Sequence, residues 1–585
     1  MSSLSELLVN NIDIWTSAEN IKRSGRGRST NSQSALYGAN KLRDLILELA
    51  IKGKLVSQDA AEEPALNILM KIDLERSRLK SFGANSKRKQ DTKIIRKNGD
   101  LILPKGWSGT CLGDVVDIVR GITFPGSEKS KTKEPGRIAC LRTSNVQDQI
   151  DWDDLLYIGE NFVSRGDQIL KPKDIVMSMA NSRELVGKVA LVNSLEEKTT
   201  FGGFLGVLRT TSINPDYLMI FLRAPSTRAS LIESSSQTTN IANISLAKLN
   251  PLFFPVPPLE EQCRIVSKVN ELMVLCDGLE GATNTALEVH CEFVNSSLDK
   301  SIKHPNGGEI IENFDELFTS DIGIRGLKDL IIRLGVQGRL THNAQISSGP
   351  NTLLEDVQAD RGLQISEGGI RDKGRFIDFD GLDLLKVSIP ASWCWVRLGI
   401  IAEVVRGGSP RPAGDIRFYD GHIPFLKVGD VTRSSGKMVE GWTSSIKEAG
   451  LHKTRLVKGR TVLLTNSGAT LGIPAICDFE TTFNDGIAAF INLSKFVFDE
   501  YLYLYLTHLS DWFLNVAAQG QGQPNLNIDI IRSTWMPLPP MQEQLNIVSK
   551  VDELLARCDQ LESLIEDSSK LKRKIADVLV EQALA

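Results

Sequence analysis

The strongest constraint on this chain is internal: three separated blocks of its sequence occur twice, in the same order. Residues 261–280 (EQCRIVSKVNELMVLCDGLE) align with 543–562 (EQLNIVSKVDELLARCDQLE) at an offset of 282, with 13 of 20 positions identical. Upstream, LPKGWSGTCLGDVVDIVRG at 103–121 matches IPASWCWVRLGIIAEVVRG at 389–407, pairing Pro104 with Pro390, Trp107 with Trp393, Gly113 with Gly399 and Arg120 with Arg406. Near the start, LRDLILELAIKGKL at 42–55 resembles LKDLIIRLGVQGRL at 327–340. A duplication of this extent sets the architecture before any element is assigned, because each copy is expected to fold as one unit. Between the matched blocks the sequence differs freely, so the frame is kept and its content changes.

Size agrees with two copies. Single cores stop growing near ~250–300 residues, and the chain has 585. At 41% hydrophobic and 24% charged residues the composition is that of ordinary globular proteins, which excludes a wholly disordered or fibrous chain. The expected layout is an N-terminal arm, helix and basic linker (1–99), a first β-rich domain (100–257), a central helical spacer (258–385), a second β-rich domain (386–539) and a C-terminal helix (540–585) that pairs with the central helices. The arm, with Arg23, Arg26 and Arg28, has no counterpart in the second copy. Residues 71–98, with ten Lys/Arg against Asp73, Glu75 and Asp91, read as a linker, as do 360–375. Eight cysteines without a C-x-x-C pair, and a polar opening, predict a reducing, cytoplasmic setting. No apolar run approaches the ~18 residues of a membrane span, so a membrane protein is excluded.

The segments PVPPLEEQ (255–262) and PLPPMQEQ (537–544) close one domain and start a helix, since consecutive prolines hold the chain extended. Glu260, Glu261 and Glu543 then sit in a first helical turn, where negative charge suits the dipole. Downstream, Ile265, Val269, Leu272, Cys276 and Leu279, continuing through Thr283, Ala286, His290 and Phe293, follow 4-3 spacing. So do Ile547, Val551, Leu554, Cys558 and Leu561. Both stripes predict coiled-coil seams, with the two cysteines as small buried residues. The segments between hold short β-rich runs (DIVMSM, KVALV, TVLLT, AAFINL) and helices at PDYLMIFLRA and DEYLYLYLTHL, so each is expected to be a compact α/β domain.

Motifs for catalysis are missing from the sequence. GK at 53, 187 and 436 is followed by Leu, Val and Met, without the Ser or Thr of a phosphate loop, and the six histidines form no H-E-x-x-H or zinc-like set. Asn250-Pro251-Leu252-Phe253 lacks the second proline of an adenine-methyltransferase motif and reads as a strand entry. Polar loops suited to nucleic acid recur instead. Arg120 and Arg406 follow the repeated Trp, and the loops after them carry Thr123, Lys129, Lys131 and Lys133 in one copy and Ser409, Arg411 and Arg417 in the other. Arg contacts guanine or phosphate and Lys mostly phosphate. Asn181-Ser182-Arg183 and Asn466-Ser467 follow strands at equivalent places. Gln519, Gln521, Gln523 and Asn525 place four amides on one tight loop, and amides pair with adenine. Its counterpart at 234–240 contains Gln237, Thr238, Thr239 and Asn240. With 17 Lys/Arg and 16 Asp/Glu at 101–257, and 15 and 13 at 386–539, these domains carry +1 and +2 within a chain of net charge -4. Any DNA surface is therefore local.

Taken together, the twice-used Pro-Pro-Leu/Met-x-Glu-Gln helix start, the CDxLE seam, the Trp107/Trp393 to Arg-Gly strand and the helices ending in IKGKL and VQGRL resemble the DNA-specificity subunits of Type I restriction-modification systems, over nearly the whole chain. The resemblance implies a mixed α/β (α+β) fold: two α/β target-recognition domains separated by long antiparallel coiled-coil helices, with a pseudo-two-fold repeat. It implies a non-catalytic protein that reads a bipartite double-stranded DNA target, one domain per half. Its partners would be methyltransferase subunits, two of them, and restriction subunits. S-adenosylmethionine, ATP and Mg2+ would belong to those partners, with no cofactor in this chain. A helix over 259–300, at ~1.5 Å per residue, would span ~60 Å, enough to separate half-sites about one turn (~34 Å) apart. Two rivals are a stand-alone methyltransferase and a coiled-coil adaptor whose domains bind proteins.

Overall fold

The computed structural model describes residues 4–16, 36–81, 97–98, 101–303, 318, 320–341, 349–367, 376–377 and 388–585, apart from 184, 211, 234–235, 239–240, 435 and 518–524. The basic arm with Arg23, Arg26 and Arg28 lies outside these. Two compact units emerge, residues 1–286 with 568–585, and residues 287–567. The central stretch 258–385, expected as a spacer, is thus divided between them.

In the first unit an antiparallel sheet runs in the order Asp117–Arg120, Leu205–Arg209, Ile175–Ser178, Val189–Leu191. A second sheet places Thr199–Phe201 parallel to Arg137–Leu141, with Leu156–Gly159 antiparallel on the far side. The second unit repeats the first sheet as Glu403–Arg406, Ile487–Ile491, Thr461–Thr465, Pro474–Cys477. It repeats the second around Tyr419–Leu426, parallel to Thr481–Phe483. Strand pairs Ser108–Cys111 with Phe253–Val256, and Cys394–Arg397 with Trp535–Leu538, close each domain at its ends. The helices Pro215–Arg223 and Asp499–His508 stand where the sequence placed them, the first starting at Pro215 behind the Asn214 cap.

The repeated motifs converge on one junction per unit. Gly53 (φ 66°) and Gly338 (φ 68°) end the helices Tyr37–Ile51 and Asp321–Val336 in the left-handed region. A Cβ there would meet Pro104 Cγ at 2.5 Å and Trp107 Cζ2 at 3.0 Å, or Pro390 Cγ at 2.5 Å and Trp393 Cζ2 at 2.8 Å. Glycine is therefore required twice over, by conformation and by space. The glutamine of each Pro-rich helix start is fully buried. Gln262 Nε2 donates to Pro257 O (3.0 Å), and its Oε1 accepts from Asn214 N (2.9 Å). Gln544 does the same with Pro539 O (2.8 Å) and Phe498 N (2.8 Å). Each side chain so ties the proline segment to the cap of the helix beside it. Glu261 and Glu543 are buried next to Trp107 and Trp393, whose indole N–H groups form no hydrogen bond of good geometry among the described residues.

The long helices run Leu259–Lys303 and Met541–Leu584. Ile265, Val269, Leu272 and Cys276 are buried in one core with Leu42, Ile46 and Ala50, and Leu279 packs against it. Ile547, Val551 and Cys558 are buried with Ile324, Ile331 and Val336, with Leu554 and Leu561 alongside. A Cβ on Gly335 would meet Val551 Cγ2 at 3.0 Å and Ile547 Cγ2 at 3.3 Å, so the seam partner here is the short helix of the same repeat. The CDxLE motif acquires a second meaning. Arg43 reaches Asp277 (2.7 Å) and Glu280 (2.6 Å), and Lys328 reaches Asp559 (2.7 Å) and Glu562 (2.7 Å). Burial pulls the Lys328 ammonium down, but its two carboxylate partners more than restore it and leave it raised.

Two expectations need correction. The 4-3 stripe does not continue to Phe293: Ala286 and Phe293 are exposed, His290 is half-buried and bonds Ser320 Oγ (3.1 Å), and burial resumes at Val294 and Leu298. A straight helix drifts about 20° per heptad against a strict 3.5-residue repeat, so the buried face moves once the partner changes. The linkers are also partly helical, as Ala65–Ser81 and Pro350–Ser366.

Candidate nucleic-acid interface

In the first unit, strand Asp117–Arg120 ends with Arg120 exposed, paired opposite Gly206. The chain then passes so close to the next strand that a Cβ on Gly121 would lie 2.1 Å from Gly202 O. This brings Thr123 Oγ1 to 2.9 Å from the Cβ position of Gly203, in the turn Gly202-Gly203-Phe204. Phe204 O accepts from Met179 N (2.8 Å) and Ala180 N (3.3 Å), which sets the turn beside Asn181, Ser182 and Arg183. Asn181 Oδ1 accepts from Ser182 N (2.9 Å), while Ser182 and Arg183 are exposed. Strand Ala180–Asn181 pairs with Ile241–Asn243, which pairs with Ser236–Thr238. Gln237 and Thr238 thus join the same sheet, whereas Thr239 and Asn240 lie outside the described residues. The structure therefore gathers Arg120, Thr123, the Asn181 turn and the strand bearing Gln237 and Thr238.

The lysines are not gathered with them. Their loop bridges Ser130 to Tyr157 on the outer strand of the second sheet. There Lys133 meets Glu197 (2.7 Å), Lys131 lies 4.0 Å from Asp154, and Lys129 is exposed.

The second unit repeats the arrangement with different chemistry. Arg406 Nε donates to Asp485 O (2.6 Å), Ser409 Oγ donates to Asp485 Oδ1 (2.6 Å), and Arg411 lies 3.9 Å from Oδ2. The Ser409 hydroxyl, and then the two arginines, hold the Asp485 carboxyl below its ordinary value against the opposing effect of burial. Arg455 Nε donates to Arg406 O (2.9 Å), adding an exposed cation. Arg417 instead turns to Asp415 (2.6 Å), and this contact pushes Asp415 down to about 2. Asn466 N donates to Gly486 O (2.9 Å), and Ser467 bridges Asn525, so the asparagine turn again meets the returning polar loop. Gln519, Gln521 and Gln523 lie outside the described residues. Asn466, expected as a surface contact, is instead 0% exposed, and among the described residues neither end of its amide has a hydrogen-bond partner. The strand end turns this side chain inward, and Ser467 and the exposed Asn525 take the outer positions.

Asp485, Arg455 and Phe204 were not singled out from the sequence. A signal for the turn existed, since Thr-Thr-Phe precedes it in both copies, at 199–201 and 481–483. Among the described residues no group of His, Cys, Asp and Glu gathers as a metal site, and no helix is long and apolar enough to cross a membrane. An open hollow of about 410 Å³ beside Tyr419, Lys427 and Trp442 lacks a glycine-rich phosphate cradle.

Two β-rich domains on one duplicated helical frame, each joining arginine, hydroxyl and amide groups around a single turn, define a two-domain nucleic-acid reader. The model of the Type I restriction modification DNA specificity domain matches residues 104–289 and again 390–569, and the chain belongs to this family. It is 28% identical over 605 residues to the Type I restriction enzyme EcoEI specificity subunit of Escherichia coli, covering 100% of both chains. It is likewise 28% identical over 608 residues to the EcoAI specificity subunit of the same species, again over 100% of both. A chain solved in work on complex assembly and conformational transition of the type I R-M system aligns with 82% of this chain and 98% of its own, at 17% identity and a TM-score of 0.43.

Proposed function

We propose that this chain reads a bipartite, asymmetric double-stranded DNA target, with residues 100–257 reading one half and 386–539 the other, and that it carries the methyltransferase and restriction subunits of its system without catalysing a reaction itself. The observation that supports this most directly is the pairing of like with unlike. Junction chemistry is the same in both units, while the turn beside Arg120 and Arg406 differs. A scaffold that holds two different readers accounts for that pattern, and an adaptor with two protein-binding domains gives no reason for it. Two methyltransferase subunits, one per repeat, follow from the duplicated frame. S-adenosylmethionine, ATP and Mg2+ are assigned to the partners, and the assembly to the cytoplasm.

The test is to express the chain with the methyltransferase subunits of its own system and sequence the modified adenines of the host genome. One two-part motif with unlike halves is expected. Transfer of labelled methyl groups by the purified chain alone would overturn the non-catalytic reading, and DNA retardation no different with or without this chain would overturn the DNA-reading one. Removing one heptad from Leu259–Lys303 is expected to change the spacing between the two halves.

A further inference from the structure

We propose that the turn at 202–204 in the first unit and 484–486 in the second is a specificity-determining element: Phe204 contacts a thymine methyl group, and Asp485 accepts from the exocyclic amino group of a cytosine or adenine. This inference rests on the DNA-reading function above. Its basis is one backbone site with two different occupants.

The backbone of the turn is fixed in the same way in both units. Ile122 N donates to Phe201 O (2.9 Å) and Gly408 N to Phe483 O (3.1 Å), while Leu205 N closes onto Gly202 O (2.8 Å) and Ile487 N onto Asn484 O (3.2 Å). The side chains on it are unlike. Phe204 is 67% exposed, although its own carbonyl is held by two backbone N–H groups. A large apolar side chain held this firmly in the open forgoes most of the burial that usually stabilises a phenylalanine. In the major groove the group that rewards such a side chain is the thymine C5-methyl.

In the second unit position 486 is glycine and the preceding residue is Asp485, whose side chain is 49% exposed. Its Oδ1 is taken by Ser409, while Oδ2 has Arg411 at 3.9 Å, beyond hydrogen-bond reach. A carboxylate is repelled by phosphate, so its place among Arg406, Arg411 and Arg455 suits a base edge and not the backbone. The amino groups of cytosine and adenine are the major-groove donors it fits.

The experiment uses the complex of the full chain with its methyltransferase subunits, on duplexes carrying the mapped motif and every single-pair change in it. Phe204→Ala is expected to lose about 4-fold of discrimination at one base pair of the half read by residues 100–257, the worth of burying about one methyl group. Replacing thymine by uracil at that pair should weaken the wild type by a similar factor and leave F204A unaffected. Asp485→Asn should lose discrimination at one pair of the other half only, while Phe204→Leu, which keeps an apolar tip, retains most of the preference. Thermal melting of each variant verifies that it is folded. Uniform weakening on all sequences by a folded variant, or unchanged discrimination, would overturn the proposal. A wild-type complex with no preferred sequence would instead overturn the DNA-reading function itself.

Discussion

The junction and the turn of each unit are separated by a few strands, yet they answer differently to duplication. At the junction, Gly53, Pro104, Trp107 and Gln262 are matched by Gly338, Pro390, Trp393 and Gln544, with the same hydrogen bonds. At the turn, Gly202-Gly203-Phe204 stands where the second unit has Asn484-Asp485-Gly486. Buried contacts constrain one another: a change at Trp107 would leave Gly53 and Pro104 without a neighbour of the right shape. The turn keeps one backbone course in both units, while its side chains differ: Phe204 is exposed in the first, and in the second Asp485 is half-exposed and held by Ser409. Such a division lets one scaffold carry different readers.

The largest test of this contrast exchanges residues 100–257 for those of a relative. One half of the methylated motif is expected to change and the other to stay, as read by sequencing modified adenines. Change in both halves would show that the junction transmits more than support. Next comes the junction itself. Trp107→Ala and Trp393→Ala each remove a buried indole, 7% and 3% exposed, and are each expected to cost about 3–5 kcal/mol in denaturant unfolding. A large inequality between them would break the equivalence of the two junctions.

A smaller effect is expected at the ion clamps. Arg43→Met and Lys328→Met each remove a cation whose side chain is only 22% or 24% exposed and leave two carboxylates facing each other. A loss of about 1 kcal/mol is expected for each, reduced by salt. Arg43 should matter more, since Glu280 is 22% exposed and Glu562 43%. Equal losses that do not respond to salt would remove the clamp as an electrostatic device.

These clamps also show what was legible in the sequence. Asp277 and Glu280 stood out as repeated residues, but periodicity names the face of a helix and not its partner. The short helix was therefore invisible as the second half of the seam. Duplication made the frame, the two β-rich domains and the mixed fold readable. The helices Ala65–Ser81 and Pro350–Ser366 were hidden by charge and by clustered glycines that suggest linkers. At the candidate interface, the arginines after each Trp and the asparagine turns could be found because they recur. Lys131 and Lys133 stand out in the sequence by charge alone, and their acidic neighbours Asp154 and Glu197 come from distant sequence. Asp485 was missed because an isolated carboxylate in a turn has no periodicity, and only folding shows that Arg406, Ser409 and Arg411 converge on it.

The subtlest difference lies inside the junctions. Burial raises the Glu261 and Glu543 carboxyls above their ordinary value of 4.5, and polar neighbours draw each partly back, Gln58 and Trp107 in the first case and Trp393 in the second. Gln58 Nε2 donates to Glu261 at 3.2 Å, whereas among the described residues neither oxygen of Glu543 has a hydrogen bond of good geometry. A raised folded pKa means that the folded chain holds the proton more tightly than the unfolded one. The ionised group therefore lowers stability above its folded pKa, and this cost disappears as pH falls to the unfolded value near 4.5. Glu543→Gln should gain stability relative to the parent at pH 7 and lose that advantage on acidification, as followed by unfolding at each pH. Glu261→Gln should show a dependence of the same sign and smaller size, because it also gives up the charge that Gln58 supports. A pH-independent difference for E543Q would mean that Glu543 is already neutral at pH 7 or is solvated through a path that Glu261 lacks, and in either case the two junctions would no longer be electrostatic equals.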